Sequence, residues 1–171
     1  KVLTPDGLVD LAPGPYVERF NSAIDTMFDE ELENLGKMKL IGKREIKRMN
    51  SASANSARLV KEATNYAYIS PEDAKRFDIS ESEFADVTSA FGSITIPVRI
   101  TDEMMPGTVA IPQCWGHAKA DGLPHAQKHP GVNSNFLAGD GRANIEQLSG
   151  MSHLSGIVVD IKKSNQLASV S

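Results

Sequence analysis

The feature of this sequence that most constrains its fold is a stretch near its centre in which apolar and polar residues strictly alternate. The residues of that stretch are Ile94, Thr95, Ile96, Pro97, Val98, Arg99 and Ile100. Strict alternation predicts a β-strand that buries one face. The preceding run at residues 84–89 and a turn at Phe91-Gly92 predict that this strand is the second of a hairpin.

Other segments predict more strands than helices. Short apolar runs that end at turn residues predict strands at residues 38–41, 67–69, 108–111 and 156–161. Apolar residues at helical spacing predict an amphipathic helix over residues 17–36. Ser70 and Pro71 are typical of the cap and first turn of a second helix. These elements predict a mainly β chain, a small mixed barrel with helical crossovers, although periodicity does not identify the type of barrel.

Composition excludes several classes of protein. The chain has 171 residues and a formal net charge of -4, so it has no overall positive charge with which to coat nucleic acid or a membrane surface. Aromatic residues make up 6%, which is few for a binder that stacks single-stranded bases. The single cysteine, Cys114, excludes an internal disulfide and any cysteine cluster. No apolar run is long enough to cross a bilayer.

The first residues read as a connecting segment. Lys1 is not preceded by an initiator methionine, so we expect a piece of a longer protein whose leader would not be visible here. Three prolines and two glycines lie within residues 1–15 and predict turns, as in a linker or a docking arm. We expect a cytoplasmic location, with which the single cysteine is compatible.

A basic segment at residues 37–48 is the first candidate for a binding site. Six lysines and arginines lie there beside one acid, Glu45, in a chain that is acidic overall. Gly42 permits close approach of the backbone, and guanidinium groups make paired contacts with phosphate. The residues alone leave two interpretations open, a solvated basic edge and a phosphate site.

The second candidate follows a predicted strand and reads Gln113, Cys114, Trp115, Gly116 and His117. Trp115 and His117 could line a pocket, or the indole could close the core while the imidazole is merely exposed. We interpret Cys114 as a small buried filler rather than a nucleophile, because only His117 is near enough in sequence to activate it.

The third candidate is the set of four histidines, His117, His125, His129 and His153. They lie in a polar stretch between residues 113 and 155, which is long for a passive loop. His125 and His129 have the spacing of metal ligands on a helix, but the neighbouring prolines disfavour a helix there, so we predict no zinc site. Asn133, Asn135 and Asn144 suit turns, and an asparagine amide can also bind the edge of a heterocycle.

Several motifs, read in order, resemble a known family. They are LIGKREIKRMNS at residues 40–51, ISPEDA at 69–74, FGS at 91–93, MPGTV at 105–109, WGH at 115–117, HPGVNSN at 129–135 and LSG at 148–150. This series resembles the C-terminal molybdopterin-dinucleotide-binding domain of the dimethyl sulfoxide reductase superfamily, which includes formate dehydrogenases and nitrate reductases.

The resemblance implies a fold and a cofactor. The fold is a six-stranded double-psi β-barrel of the aspartate-decarboxylase-like type, here with an N-terminal helix. The cofactor is molybdopterin guanine dinucleotide carrying molybdenum or tungsten, and an iron-sulfur cluster is possible only in the missing part of the enzyme. We therefore expect a linker and helix at residues 1–36 that join upstream domains, the cofactor-binding barrel at 37–163 and a polar tail at 164–171.

The resemblance also implies which residues bind the cofactor and that this chain supplies neither a catalytic residue nor a metal ligand. The expected contacts are Ile41, Gly42, Lys43, Arg44, Glu45, Ile46, Met49, Asn50, Trp115, Gly116, His117 and Asn135. Two departures from the family pattern are Ser155-Gly156, where some members have a lysine, and the pair Lys43-Arg44, which is not found in every branch.

The implied partners are the upstream domains of the same enzyme and the small-molecule substrate of the parent enzyme, with no nucleic acid and no membrane insertion by this segment. The parent would be an oxidoreductase, and we expect the isolated domain to turn over no substrate, because the cofactor performs the reaction. The alternative is a double-psi barrel that binds proteins without a cofactor. The long loop between WGH and NSN favours the cofactor, since a simple binding barrel does not need it.

Overall fold

The computed structural model describes residues 4–146 and 149–165. Contacts along the chain divide it into two units, Lys1–Leu35 and Gly36–Ser171. The first unit contains helix α1, Gly14–Glu33, which begins after Pro13. Pro15 lies in its first turn, where the N–H that proline lacks would have no partner within the helix. Every strand in the described residues lies in the second unit. Within the described residues, no helix is both long enough and apolar enough to cross a membrane.

The second unit is a closed barrel of six strands. The strands are β1 (Met38–Lys43), β2 (Ala67–Ile69), β3 (Phe84–Thr88), β4 (Ser93–Ile100), β5 (Thr108–Pro112) and β6 (Ile157–Lys163). Their order around the barrel is β1-β5-β2-β4-β3-β6. The pairs β1-β5 and β2-β4 run parallel and the other four pairs run antiparallel. The predicted mainly β class, six-stranded barrel and N-terminal helix are confirmed.

Local sequence signals explain several of these elements. The alternating stretch forms β4 and pairs with β3 as an antiparallel hairpin, as predicted. Helix α2, Pro71–Arg76, begins at the predicted cap, where the Ser70 side chain accepts a hydrogen bond from the Asp73 N–H. The barrel interior is filled mainly by branched aliphatic side chains, among them Ile69, Val87, Ile96, Val98, Val109 and Ile111.

The expectation that prolines would prevent a helix around His125 is wrong. Helix α3 comprises Pro124–Lys128. Pro124 lies in the first turn, where a missing N–H costs nothing, and Pro130 follows only after the helix has ended. Two 3-10 helices follow, at Ser134–Leu137 and Arg142–Asn144. Of the motifs described above, Leu148 lies outside the described residues, as do residues 166–171 of the predicted tail.

Candidate functional site

Parallel pairing of β1 with β5 brings the basic segment beside the WGH segment. The two strands end together, with Lys43 paired to Pro112. The Gln113 N–H continues the ladder by donating to the Lys43 carbonyl at 3.1 Å. After β1 the chain enters residues 44–48 of the basic segment, which we call the basic turn, and after β5 it continues to Trp115. Two segments far apart in sequence therefore form one site at the same end of the barrel.

Arg48 joins these two segments. Its side chain is only 6% exposed, and its Nε lies 3.0 Å from Glu45 Oε2. Its Nη1 donates to the Cys114 carbonyl at 2.9 Å, and its Cζ lies 3.6 Å from the centre of the Trp115 ring. Burial is the main cause that lowers the pKa of the Arg48 guanidinium from its ordinary value, and the charge of Glu45 opposes that shift. The guanidinium stays charged, because its ordinary pKa is so high.

One nitrogen of this guanidinium is left unsatisfied. Arg48 Nη2 is buried and has no hydrogen-bond partner in the part of the chain that the structure describes. A buried donor without a partner costs about 1–3 kcal/mol, and more when the group is charged. Such a group in a native protein calls for an acceptor that the polypeptide does not supply.

Trp115, in the WGH segment, also binds to the basic segment through Glu45. The indole is 4% exposed, and its Nε1 donates to Glu45 Oε2 at 3.0 Å. One carboxylate oxygen therefore accepts from both Trp115 and Arg48. We call this group the clasp: Glu45, Arg48, Trp115 and the Cys114 carbonyl. The same carbonyl lies 3.0 Å from Nε2 of His117.

A cavity of about 250 Å³ opens beside the clasp. Its lining residues are Arg44, Glu45, Arg48, Met49, Asn50, Gln113 and Cys114. Two arginines face one glutamate in this lining, and the side chains of Asn50 and Gln113 can both donate and accept hydrogen bonds. The balance of charge and the many donors suit an anionic ligand with polar edges.

A second, smaller cavity of about 20 Å³ lies at the same end of β1, and Asn135 lines it. Gly42, Gln113, Ser134 and Asn135 are among its lining residues, so Gln113 borders both cavities. Ser155, at the position where some relatives carry lysine, accepts a hydrogen bond from the Gly42 N–H at 3.4 Å. The hydroxyl of Ser155 is therefore bound to the backbone of β1.

The loop that carries Asn135 is held against the end of β5. Asn65, 1% exposed, donates from Nδ2 to the carbonyls of Pro112 and Val132 and accepts from the Val132 N–H. A Cβ at Gly131, where φ is +56°, would lie closer to the Trp115 ring than any real contact allows. Only glycine therefore fits beneath the indole.

The other predicted contacts lie at different places around the site. Gly116 has a φ of +103°, and its N–H donates to the Pro130 carbonyl, so this segment is tied to the Asn135 loop. Lys43 Nζ lies 3.6 Å from the centre of the Tyr68 ring, on the outside of the barrel. Ile41 and Ile46 are exposed, and neither lines the two cavities described. The role of every predicted contact remains a prediction.

The histidines next to the site serve the fold. Nε2 of His125 lies 2.8 Å from the Val60 carbonyl, and Nδ1 of His129 lies 2.9 Å from the Glu62 carbonyl. Asn55 accepts from the N–H groups of His125 and Ala126. These contacts fix α3 to the loop that follows the basic turn. Among the described residues, no group of three or more histidine, cysteine or acidic side chains could hold a metal ion.

The sequence did not mark Asn65, and it marked Arg48 and Gln113 only as members of the two candidate segments and not as expected contacts. Arg48 was visible only as one of six basic residues, and its inward direction depends on Trp115. Gln113 lies directly after a strand, which was the available signal for it. The prediction that Cys114 is a buried filler is wrong, because the residue is half-buried, lines the larger cavity and adopts a φ of +70°.

Comparison with known proteins identifies relatives of this chain. The sequence model of one family, described as "Molydopterin dinucleotide binding domain", matches residues 38–152. The chain is 42% identical over 48 residues to the arsenate respiratory reductase molybdopterin-containing subunit ArrA of Chrysiogenes arsenatis. That match covers 28% of this chain and 5% of ArrA.

Among solved structures, acetylene hydratase from Pelobacter acetylenicus superposes with a TM-score of 0.61 and 19% sequence identity. The superposition covers 81% of this chain and 20% of the hydratase. At this identity the likeness shows the fold alone. The chain therefore corresponds to a small part of each of these two proteins.

Proposed function

Because the chain belongs to the molybdopterin dinucleotide binding domain family, we propose that it is the C-terminal domain of a molybdenum or tungsten oxidoreductase and binds molybdopterin guanine dinucleotide. The observation that carries the proposal is the buried, unpartnered Arg48 Nη2 beside a cavity lined by two arginines. A dinucleotide brings a pyrophosphate whose oxygens accept several hydrogen bonds, and guanidinium groups are the protein's best partners for them.

The residues around the two cavities fit such a ligand. We propose that Arg44, Arg48 and Asn50 bind the pyrophosphate, because all three line the larger of the two cavities. Gly42 and Asn135 border the smaller cavity and would approach a pterin ring, with the amide of Asn135 binding its polar edge. Ile41, Lys43, Glu45, Ile46, Met49, Trp115, Gly116 and His117 complete the proposed set.

The cofactor and this chain have different roles in the proposed function. When bound, the cofactor supplies two-electron redox chemistry at its metal. This chain binds the anionic part through arginine and orients the ring through backbone and amide contacts. The buried Trp115 holds the Arg48 guanidinium against its ring. We accordingly propose that the isolated chain turns over no substrate, because the reaction takes place at the cofactor and this chain supplies binding and orientation.

The alternative function is a barrel that binds proteins without a cofactor. The family match argues against it, and so does the way Asn65 and Gly131 hold the long loop over the site. We also propose the division into a connecting segment at residues 1–36, a barrel at 37–163 and a tail at 164–171. The proposed location is cytoplasmic, which cell fractionation of the native host would test.

The experiment that tests the proposed function is the composition of the full-length parent enzyme. Purified from a host able to make the cofactor, the parent should contain molybdenum or tungsten and release guanine nucleotide on denaturation. Inductively coupled plasma mass spectrometry and chromatography of the released nucleotide measure both. Parent enzyme that lacks metal and pterin would refute the proposal.

Arg44→Ala in the full-length parent is expected to lower cofactor occupancy about tenfold, the loss expected for one charge-assisted hydrogen bond to phosphate. Arg44 is exposed and lines the larger cavity, so its removal should leave the fold intact. Arg58→Ala is the matched control, since Arg58 is also exposed and lines neither cavity. Equal guanine nucleotide content in the two variants would remove Arg44 from the site.

A further inference from the structure

We propose that Glu45 is an internal carboxylate that occupies the phosphate-binding edge of Arg48 until the phosphate of a dinucleotide replaces it. The inference rests on the proposed function, because it concerns the same site. It assigns different roles to two neighbouring residues of the basic turn. Arg48 binds the phosphate, whereas Glu45 belongs to the proposed set only as a residue of the cavity lining, which gives up its contact with Arg48 when the phosphate binds.

The guanidinium of Arg48 is held so that only one edge is left for a ligand. Nη1 is taken by the Cys114 carbonyl, and the flat face is covered by Trp115. The remaining edge carries Nε and Nη2. Glu45 accepts from Nε at 3.0 Å, while Nη2 has no acceptor among the described residues.

A phosphate suits that edge better than Glu45 does. Glu45 engages one of its two nitrogens, and the same oxygen also accepts from Trp115. Two phosphate oxygens can accept from Nε and Nη2 together in the paired geometry that arginine favours. Arg44 in the lining of the same cavity adds a second positive charge for the incoming anion.

Glu45 is also able to leave. Its side chain is 28% exposed, whereas that of Arg48 is 6% exposed. It lies three residues before Arg48 in a turn, and a carboxylate that swings into water recovers its hydration. Arg48 and Trp115 then stay in place as the prepared half of the site.

Trp115 makes the exchange observable. It is the only tryptophan in the chain, and its Nε1 donates to the carboxylate oxygen that must leave. Departure of Glu45 removes that hydrogen bond, so the intensity and position of indole emission should change. Excitation at the red edge of the absorption band avoids the three tyrosines.

The test is a titration of the 171-residue chain with inorganic pyrophosphate, followed by Trp115 emission at an ionic strength held constant with sodium chloride. The wild type should show a saturable change. Glu45→Gln and Glu45→Ala should bind pyrophosphate about five- to tenfold more tightly, because a competing negative charge is removed. Arg48→Lys should bind about tenfold more weakly, because an ammonium cannot offer the paired edge.

Glu103→Gln is the matched control for the change in charge. Glu103 is exposed and lies before β5, at the opposite end of that strand from Gln113. Its affinity for pyrophosphate should equal that of the wild type. Circular dichroism confirms that each variant is folded. Before any ligand is added, the emission of Glu45→Ala, which has no acceptor for the Trp115 Nε1, should already resemble that of the pyrophosphate-bound wild type.

Two results would overturn the inference. One is wild-type protein that binds pyrophosphate while both Glu45 variants bind it no more tightly, which would leave the proposed function standing. The other is the absence of binding by the wild type and both Glu45 variants. The metal and nucleotide content of the parent enzyme then tells whether the proposed function fails as well.

Discussion

Trp115→Ala is expected to lower the free energy of unfolding by about 3–5 kcal/mol, the usual cost of truncating a buried aromatic side chain. The indole is 4% exposed, carries the Arg48 guanidinium on its face and packs against Gly131. For a domain of this size, the loss corresponds to a melting temperature lower by about 10 °C. Thermal and urea unfolding followed by far-ultraviolet circular dichroism measure both quantities.

Trp115→Phe is the matched variant, because it keeps an aromatic ring and removes the hydrogen bond to Glu45. We expect it to cost about 1–2 kcal/mol, for the lost hydrogen bond and the smaller ring. Loss of cofactor from the parent should follow the same order, with alanine worse than phenylalanine. Equal stability of the alanine variant and the wild type would show that the indole is not part of the packed core.

Local signals predicted the elements that depend only on neighbouring residues. The alternation of β4 is visible in the sequence because one face of the strand meets the barrel interior. The cap of α2 is visible because Ser70 accepts from an N–H only three residues later. Neither signal predicts that β1 pairs with β5, because those two strands lie about seventy residues apart in the sequence. The family resemblance implied a six-stranded barrel as a whole, and no pair of strands was predicted.

The sequence likewise showed some features of the candidate site and not others. The basic character of residues 37–48 was evident from the sequence and predicted the region of the site. The sequence did not show which of the basic residues turns inward. Arg48 does so because Trp115 and the Cys114 carbonyl, 66 residues along the chain from Arg48, provide a surface for it, whereas Lys43 stacks on Tyr68 outside the barrel. Long-range packing decides such directions, and single-sequence patterns do not record it.

Asn65 shows how much of the site depends on one buried amide. Its Nδ2 donates to the carbonyls of Pro112 at 3.1 Å and Val132 at 3.0 Å, and its Oδ1 accepts from the Val132 N–H at 2.8 Å. These bonds fasten the loop that carries Asn135 to the end of β5. Asn65→Asp keeps the shape and the acceptor, but it replaces both donated hydrogen bonds by an oxygen that faces two carbonyl oxygens. We expect a cost of about 3–5 kcal/mol at neutral pH.

The cost of Asn65→Asp should depend on pH with a definite sign. Burial and the two carbonyl oxygens raise the pKa of the new carboxyl in the folded protein above the unfolded value of about 3.9. The unfolded state then releases its proton first, so the variant loses stability as the pH rises from about 4 towards the raised pKa. Near pH 4 the protonated carboxyl can donate one of the two lost hydrogen bonds. Urea unfolding of variant and wild type from pH 4 to pH 8 should therefore show a widening difference.

Asn55→Asp is the control for the same chemical change. The Asn55 Oδ1 only accepts, from the N–H groups of His125 and Ala126 in the first turn of α3. A carboxylate accepts these bonds equally well, so the free energy of unfolding should change by less than about 0.5 kcal/mol. If the two variants were equally stable at pH 8, the donated bonds of Asn65 could not be what holds the loop. Of these two variants, we expect only Asn65→Asp to lower the cofactor content of the parent enzyme, because Asn65, unlike Asn55, bonds directly to the segment that carries Asn135.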